Sequence, residues 1–215
     1  MMRDDRPMAE IGDVTDARVR YEQKTAALVG RNVLDVRYWD IHNFGSEPPE
    51  WDDGDWHHAV MGVELMTDGG PVSVIWTSTF FPYGVEVFHE PIAAHLRLGP
   101  EGPEGWGVSD HAFWQSRLGS PVRGTAIHWE RFELGPAIRA MDGARVAEPR
   151  TVHVPVALRL DFDSGPVWMV AGIPQWPDDE KVFVPGDEVM VVFSPERMRR
   201  IGFPETDFLQ PRPTR

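Results

Sequence analysis

The 215-residue chain contains no cysteine. This rules out disulfides, thiolate nucleophiles and cysteine-ligated zinc, and it is compatible with a reducing compartment. Long apolar runs are missing as well. No stretch approaches the roughly 20 residues that a membrane helix needs. The opening Met1-Met2-Arg3-Asp4-Asp5-Arg6-Pro7 is followed by no apolar segment, so no secretory signal is expected and the chain reads as cytoplasmic, with no membrane partner. Positive charge is scarce: 21 Lys and Arg stand against 34 Asp and Glu, a formal charge of −13. Nucleic-acid binding places Lys and Arg against phosphates, so a DNA or RNA partner is disfavoured and a basic protein or peptide suits the charge better.

What is present describes an ordinary globular chain, 41% hydrophobic and 26% charged. Twenty prolines and twenty glycines imply many turns between short elements, which favours strands over a helical bundle. The preference for Arg over Lys, with many Ala, Gly, Pro and Val, suits a GC-rich bacterial source.

The stretch 58–101 organises the chain because it recurs. Shifted by 95 positions without a gap, His58 meets His153, Leu65 meets Leu160, Asp68 meets Asp163, and Gly70-Pro71-Val72 meets Gly165-Pro166-Val167. Pro82 then meets Pro177, Val87-Phe88 meets Val182-Phe183, and Pro100-Glu101 meets Pro195-Glu196. Two copies of a long unit suggest a tandem duplication with a pseudo-twofold axis, not a solenoid.

Each copy reads as a helix followed by about five strands. In the first, 13–29 forms an amphipathic helix capped by Asp13 or Thr15 and stopped by Gly30. Strands follow over 32–41, 57–66, 72–80, 85–89 and 93–98, with a long loop over 42–56 and a hairpin turn at Thr67-Asp68-Gly69-Gly70. In the second, Ser109 or Asp110 caps a short helix stopped by Gly119. Strands follow over 125–134, 151–162, 167–173, 181–184 and 188–193, with a loop over 135–150. A helix over 195–201 and a Pro-rich tail end the chain. The fold class is α+β with mainly antiparallel strands, because tight turns leave no room for crossover helices. The divisions are a disordered N-terminus over 1–12, a first repeat over 13–101, a linker over 102–108, a second repeat over 109–196, and a helix end and tail over 197–215.

Recognisable catalytic chemistry is thin. No Gly-x-Ser-x-Gly elbow, dinucleotide fingerprint or paired-histidine helix motif occurs. The glycine-rich 99–107 carries glutamates and no lysine, so it reads as linker. His89 and His95 are six apart with Pro91 between them, which spoils helical ligand spacing. His57 and His58 point to opposite faces if they lie on a strand, so the pair cannot hold one ion together. No metal, cofactor or catalytic residue is expected on this basis.

The loop before the repeat is private to the first copy. There Trp51 and Trp56 flank Asp52-Asp53-Gly54-Asp55, followed by His57. Aromatic side chains beside charges are typical of a binding surface, since each supplies large area with few torsions. Trp51, Asp52, Asp53, Asp55, Trp56 and His57, with His89 and Glu90, are the candidate binding residues. The expected function is a non-catalytic binding protein of immunity, inhibitor or accessory type that engages a protein or peptide through an acidic, aromatic surface. The alternative is a small-molecule binder or enzyme with its site at the seam between the repeats.

Overall fold

The computed structural model describes residues 12–41, 51–95, 103–138, 141, 145–175 and 178–208. The expected disordered N-terminus before residue 12, residues 42–50 of the long loop, and the tail beyond 208 lie outside them.

Helix α1 (Gly12–Ala26) ends in a turn at Gly30, whose φ of 88° is the left-handed conformation that glycine adopts without penalty. The chain continues as β1 (Val33–Ile41), β2 (Trp56–Val60), β3 (Gly62–Thr67), β4 (Gly70–Thr77) and β5 (Gly84–Phe88). After β6 (Pro103–Gly107) and the short α2 (Ala112–Gln115) come β7 (Gly124–Leu134), β8 (Ala137–Ile138), β9 (Arg145–Ala147), β10 (Arg150–Asp161) and β11 (Val167–Ala171). The remainder is β12 (Ile173–Gln175), β13 (Asp178–Phe183), β14 (Val189–Val192), α3 (Pro195–Arg200) and a 3₁₀ turn at Glu205–Phe208. Among the described residues no helix is long and apolar enough to cross a membrane.

Ten strands form one sheet in the order β5-β4-β3-β1-β2-β14-β11-β10-β7, with β6 also on β1. Every pairing in it is antiparallel except the brief contact of β1 with β2. The two halves of the chain join edge to edge where β2 meets β14. The sheet then curls until β5 lies against β10, where Gly84 leaves no room for a side chain beside Pro155. Helix α1 sits beside this approach. Its Tyr21 packs on Phe80 and on Trp129 of β7, with ring centroids 5.9 and 5.8 Å away. The protein is thus a mixed α/β molecule dominated by a curled antiparallel sheet, with few helices.

Central strands β11 and β14 are buried along their whole length. Their sequences, Val-Trp-Met-Val-Ala and Val-Met-Val-Val, are unbroken apolar runs, as burial on both faces requires. Trp168 of β11 meets Phe208, and Met198 of α3 is buried as well.

The two halves share specific geometry. Val63 pairs with Val74, and 95 positions later Leu158 pairs with Met169. Leu65 with Val72 and Leu160 with Val167 keep the same shift. The following glycines, Gly70 and Gly165, have φ of 103° and 109°. At the helix exits the shift is 89, from Gly30 to Gly119. There the chains exchange matched bonds: the Gly30 amide donates to the Val122 carbonyl (2.8 Å), and the Gly119 amide donates to the Val33 carbonyl (2.7 Å).

Several expectations need correction. The 99–107 linker is in part a strand, β6, which pairs Trp106 with Tyr38. Gly105 packs flat on the Trp39 ring, so it serves close packing, not flexibility. The strand expected over 93–98 begins instead as a 3₁₀ turn, Ile92–Ala94, held by the Ile92 amide donating to the buried Glu64 carboxylate; 96–98 lies outside the described residues. The 135–150 loop contains two short strands, β8 and β9, paired antiparallel. Helix α2 is capped by His111, not Ser109 or Asp110, because Ser109 is bonded to Asp35 and to the Val36 amide on β1. Val182-Phe183 lies on β13, which among the described residues pairs only with β12 in a separate ribbon. The place beside β11 that β5 holds beside β4 belongs to β14.

His58 and His153 also have different settings. His153 pairs with Arg131 inside the long β10, which shifts register between Pro155 and Ala157. In the first half the chain breaks at the corresponding place, with φ of 45° at Val60 and 152° at Gly62. Strand β2 thereby leaves its neighbour and joins β14, carrying His58 onto Glu188 at 2.8 Å.

Candidate functional site

The break at Val60–Gly62 carries β2 to the seam, and residues 51–55 fold back on it. Gly54, at φ 85°, turns a tight hairpin in which the His58 amide donates to the Trp51 carbonyl (2.8 Å) and the Asp53 amide to that of Trp56 (3.1 Å). Asp52 and His57 therefore face each other as a cross-strand pair. The Gly54 amide donates to Asp52 Oδ1 at 3.0 Å and fixes the carboxylate. These residues were expected within the loop over 42–56; the Asp53-Gly54 dipeptide is the local signal that could have marked the turn.

His57 is completely buried. On one side its Nδ1 lies 2.7 Å from the hydroxyl of Tyr38 on β1, which also accepts the indole N–H of Trp114 on α2 at 2.7 Å. On the other side its Nε2 lies 3.8 Å from Asp52 Oδ1. His111, the cap of α2, approaches the same carboxylate, with Nε2 3.2 Å from Oδ2. The two imidazoles meet edge to face, centroids 4.4 Å apart. Rings enclose them. Trp51 stands edge-on to His57 at 4.8 Å, and Phe193, just after β14, lies 4.7 Å from it and stacks on Phe113. The buried guanidinium of Arg117 sits over Phe193 and donates to the Phe113 and Pro166 carbonyls.

Burial dominates the electrostatics. It pushes the His57 imidazole down to about 3, and the neighbouring His111 adds to this while Asp52 opposes it. His57 is neutral at ordinary pH. Asp52 is held below the usual carboxylate range, first by the Gly54 amide and then by the two imidazoles, against some desolvation. Burial raises the Tyr38 phenol well above its ordinary value and lowers the Arg117 guanidinium.

The protons follow from the donor inventory. An indole N–H only donates, so the Tyr38 oxygen accepts from Trp114 and its own hydrogen is left for His57 Nδ1. His57 then carries its proton on Nε2, aimed at Asp52. The Phe113 amide donates to His111 Nδ1 at 3.4 Å, so His111 also carries its proton on Nε2. One carboxylate faces two imidazole N–H groups. His111 reaches it; His57 at 3.8 Å is beyond hydrogen-bond range, and its Nε2 has no hydrogen-bond partner among the described residues.

Of the expected binding residues, the structure brings Trp51, Asp52 and His57 together. Trp56 is a correction: it is fully buried and presents no area to a partner. Asp55 is turned away, paired with Arg197 (3.4 Å) and Arg200 (3.2 Å) of α3. Asp53 sits in the hairpin turn. His89 and Glu90 follow β5, the far end of the sheet path from β2; His89 bonds the Lys24 carbonyl of α1, and Glu90 lies beside His95. Tyr38, His111, Trp114, Arg117 and Phe193 were not singled out as site residues. Nothing in their spacing announces them, since they converge only through the seam.

Compared with known proteins, the chain matches no family model, no curated protein and no solved structure.

Proposed function

We propose that this is a binding protein whose ligand site lies at the seam of its two halves, centred on Asp52, His57 and His111. One observation carries the reading: among the described residues a wholly buried imidazole nitrogen, His57 Nε2, has no hydrogen-bond partner while aimed at a half-exposed carboxylate. Leaving a buried polar atom unmatched costs about 1–3 kcal/mol, which a bound ion or ligand at Asp52, His57 and His111 would offset. The first half supplies Tyr38, Asp52 and His57, and the second supplies His111, Trp114 and Phe193. A duplicated unit with a pseudo-twofold axis is part of this proposal, supported by the shared register and the matched glycine bonds. The test is to purify the chain without denaturation and compare its mass by native and denaturing spectrometry. A bound species that perturbs the His57 and His111 imidazole resonances supports the reading; a bare chain in which no added metal or small molecule perturbs them overturns it.

The formal charge of −13 favours a second reading, an interaction protein for a basic protein or peptide. Its surface would have to use Asp52, Asp53 and Trp51 without Trp56. Capture of a stoichiometric basic partner, released by salt and lost on neutralising Asp52 and Asp53, is its expected signature.

A further inference from the structure

We infer that Asp52, His57 and His111 form a site for one divalent transition-metal ion of the zinc and cobalt class. The inference deepens the seam reading and rests on it. The three potential ligand atoms all lie within 4.8 Å of one another. His111 Nε2 stands 3.2 Å from Asp52 Oδ2, about the spacing of neighbouring ligands at roughly 2 Å from one small ion, and His57 Nε2, 3.8 Å from Oδ1, needs to close in by a few tenths of an ångström. Imidazole with carboxylate suits zinc, cobalt, nickel or ferrous iron; magnesium and calcium prefer all-oxygen cages, and the missing thiolates disfavour soft copper.

The surroundings match those of a ligating histidine. A metal-bound imidazole donates its other N–H to a fixed partner; the Tyr38 oxygen, fixed by Trp114, is in place 2.7 Å from His57 Nδ1, and the direction of that bond reverses when the ion binds. Asp52 is ordered by Gly54, and Trp51, Phe113 and Phe193 wall off the back. The front is open: the side chains of Asp52 and His111 are 45% and 22% exposed, while that of His57 is closed off. Three ligands with an open side leave coordination positions for water or a further ligand.

The proton placement sets a condition on binding. Without an ion, both imidazoles carry their protons on Nε2. To ligate, each presents that nitrogen's lone pair instead, with its remaining proton on Nδ1. His57 Nδ1–H then donates to the Tyr38 oxygen, which keeps its bond from Trp114 and must turn its own hydrogen away from Nδ1, a cost set against the metal bonds; His111 loses the weak bond from the Phe113 amide. The ion replaces two N–H groups facing a carboxylate with two lone pairs facing a cation.

The experiment is a cobalt titration of the full chain after chelator treatment and dialysis. The expected result is visible ligand-field bands, one ion per chain by calorimetry, displacement by zinc and none by magnesium. His111→Ala and Asp52→Asn alter the accessible end of the cluster, and each is expected to weaken binding tenfold or more with an unchanged circular dichroism spectrum. Zinc added to the unaltered chain shifts the His57 and His111 imidazole nitrogen resonances, a readout that needs no variant. Absence of cobalt and zinc binding, or binding undiminished in both variants, overturns the metal assignment. If binding fails while a co-purified organic molecule perturbs the same resonances, the metal assignment falls and the seam reading stands. If neither perturbs them, both fall.

Discussion

The Tyr38 hydroxyl and His57 Nδ1 lie 2.7 Å apart with both side chains wholly buried, so neither can exchange the other for water. The bond orients His57, and the Trp114 indole completes the chain behind it. Tyr38→Phe leaves the Trp114 N–H and His57 Nδ1 unmatched in the interior. At about 1–3 kcal/mol for each unsatisfied group, the variant is expected to lose about 3 kcal/mol of stability in urea unfolding. A loss below about 0.5 kcal/mol would show that the network does not hold the site together.

The metal-free chain is expected to lose stability as the pH falls from 6.5 toward 3. His57 is neutral in the folded state down to about 3, whereas in the unfolded chain it protonates near 6.5. Between these values the unfolded state binds more protons, so stability rises with pH and is fully present above 6.5. The slope from this one group is about 1.4 kcal/mol per pH unit. Asp52, held below its ordinary value, acts with the same sign at lower pH. Urea midpoints at pH 7, 6 and 5, with the His57 imidazole shifts recorded alongside, test this. A His57 resonance that titrates near 6.5 contradicts the buried neutral state.

Gly62 and Gly54 are expected to tolerate alanine very differently. A Cβ on Gly62 would stand 2.5 Å from the Val74 carbonyl oxygen at a φ of 152°, where backbone must move. Gly54 has a φ of 85° and open space around it, so Gly54→Ala pays only the left-handed strain, about 1–2 kcal/mol. Gly62→Ala should cost more than about 3 kcal/mol and disturb β2 together with the site it carries. Thermal unfolding of the two variants side by side decides it; equal losses would mean that the break at Val60–Gly62 is not set by close packing.

Much of the strand pattern was legible in the residues. Alternation over 33–41 and the turn at Asp68-Gly69-Gly70 correspond to β1 and the β3–β4 hairpin, because hydrophobic period and turn chemistry are local properties. The errors lie where packing overrides them. Pro103 to Gly107 has linker composition but pairs with β1, where small residues are needed against Trp39. Trp56 beside three aspartates reads as surface, yet the pairing of β2 with β14 takes it into the core. The opposite facing of His57 and His58 follows from strand geometry alone: one lies buried on Tyr38, the other on Glu188.

The residues by themselves determined the acidity, the absence of thiol chemistry, the strand-rich composition, and the hairpin turn at Asp68-Gly69-Gly70. These depend on residue type and on neighbours a few positions away. Tertiary structure alone decided that His111, 54 positions beyond His57, closes on the same carboxylate, and that His57 Nε2 has no hydrogen-bond partner among the described residues. That outcome depends on which strand edges meet. Edge pairing between β2 and β14 joins residues such as Trp56 and Val192 that are far apart in the chain, and no local period or turn encodes it.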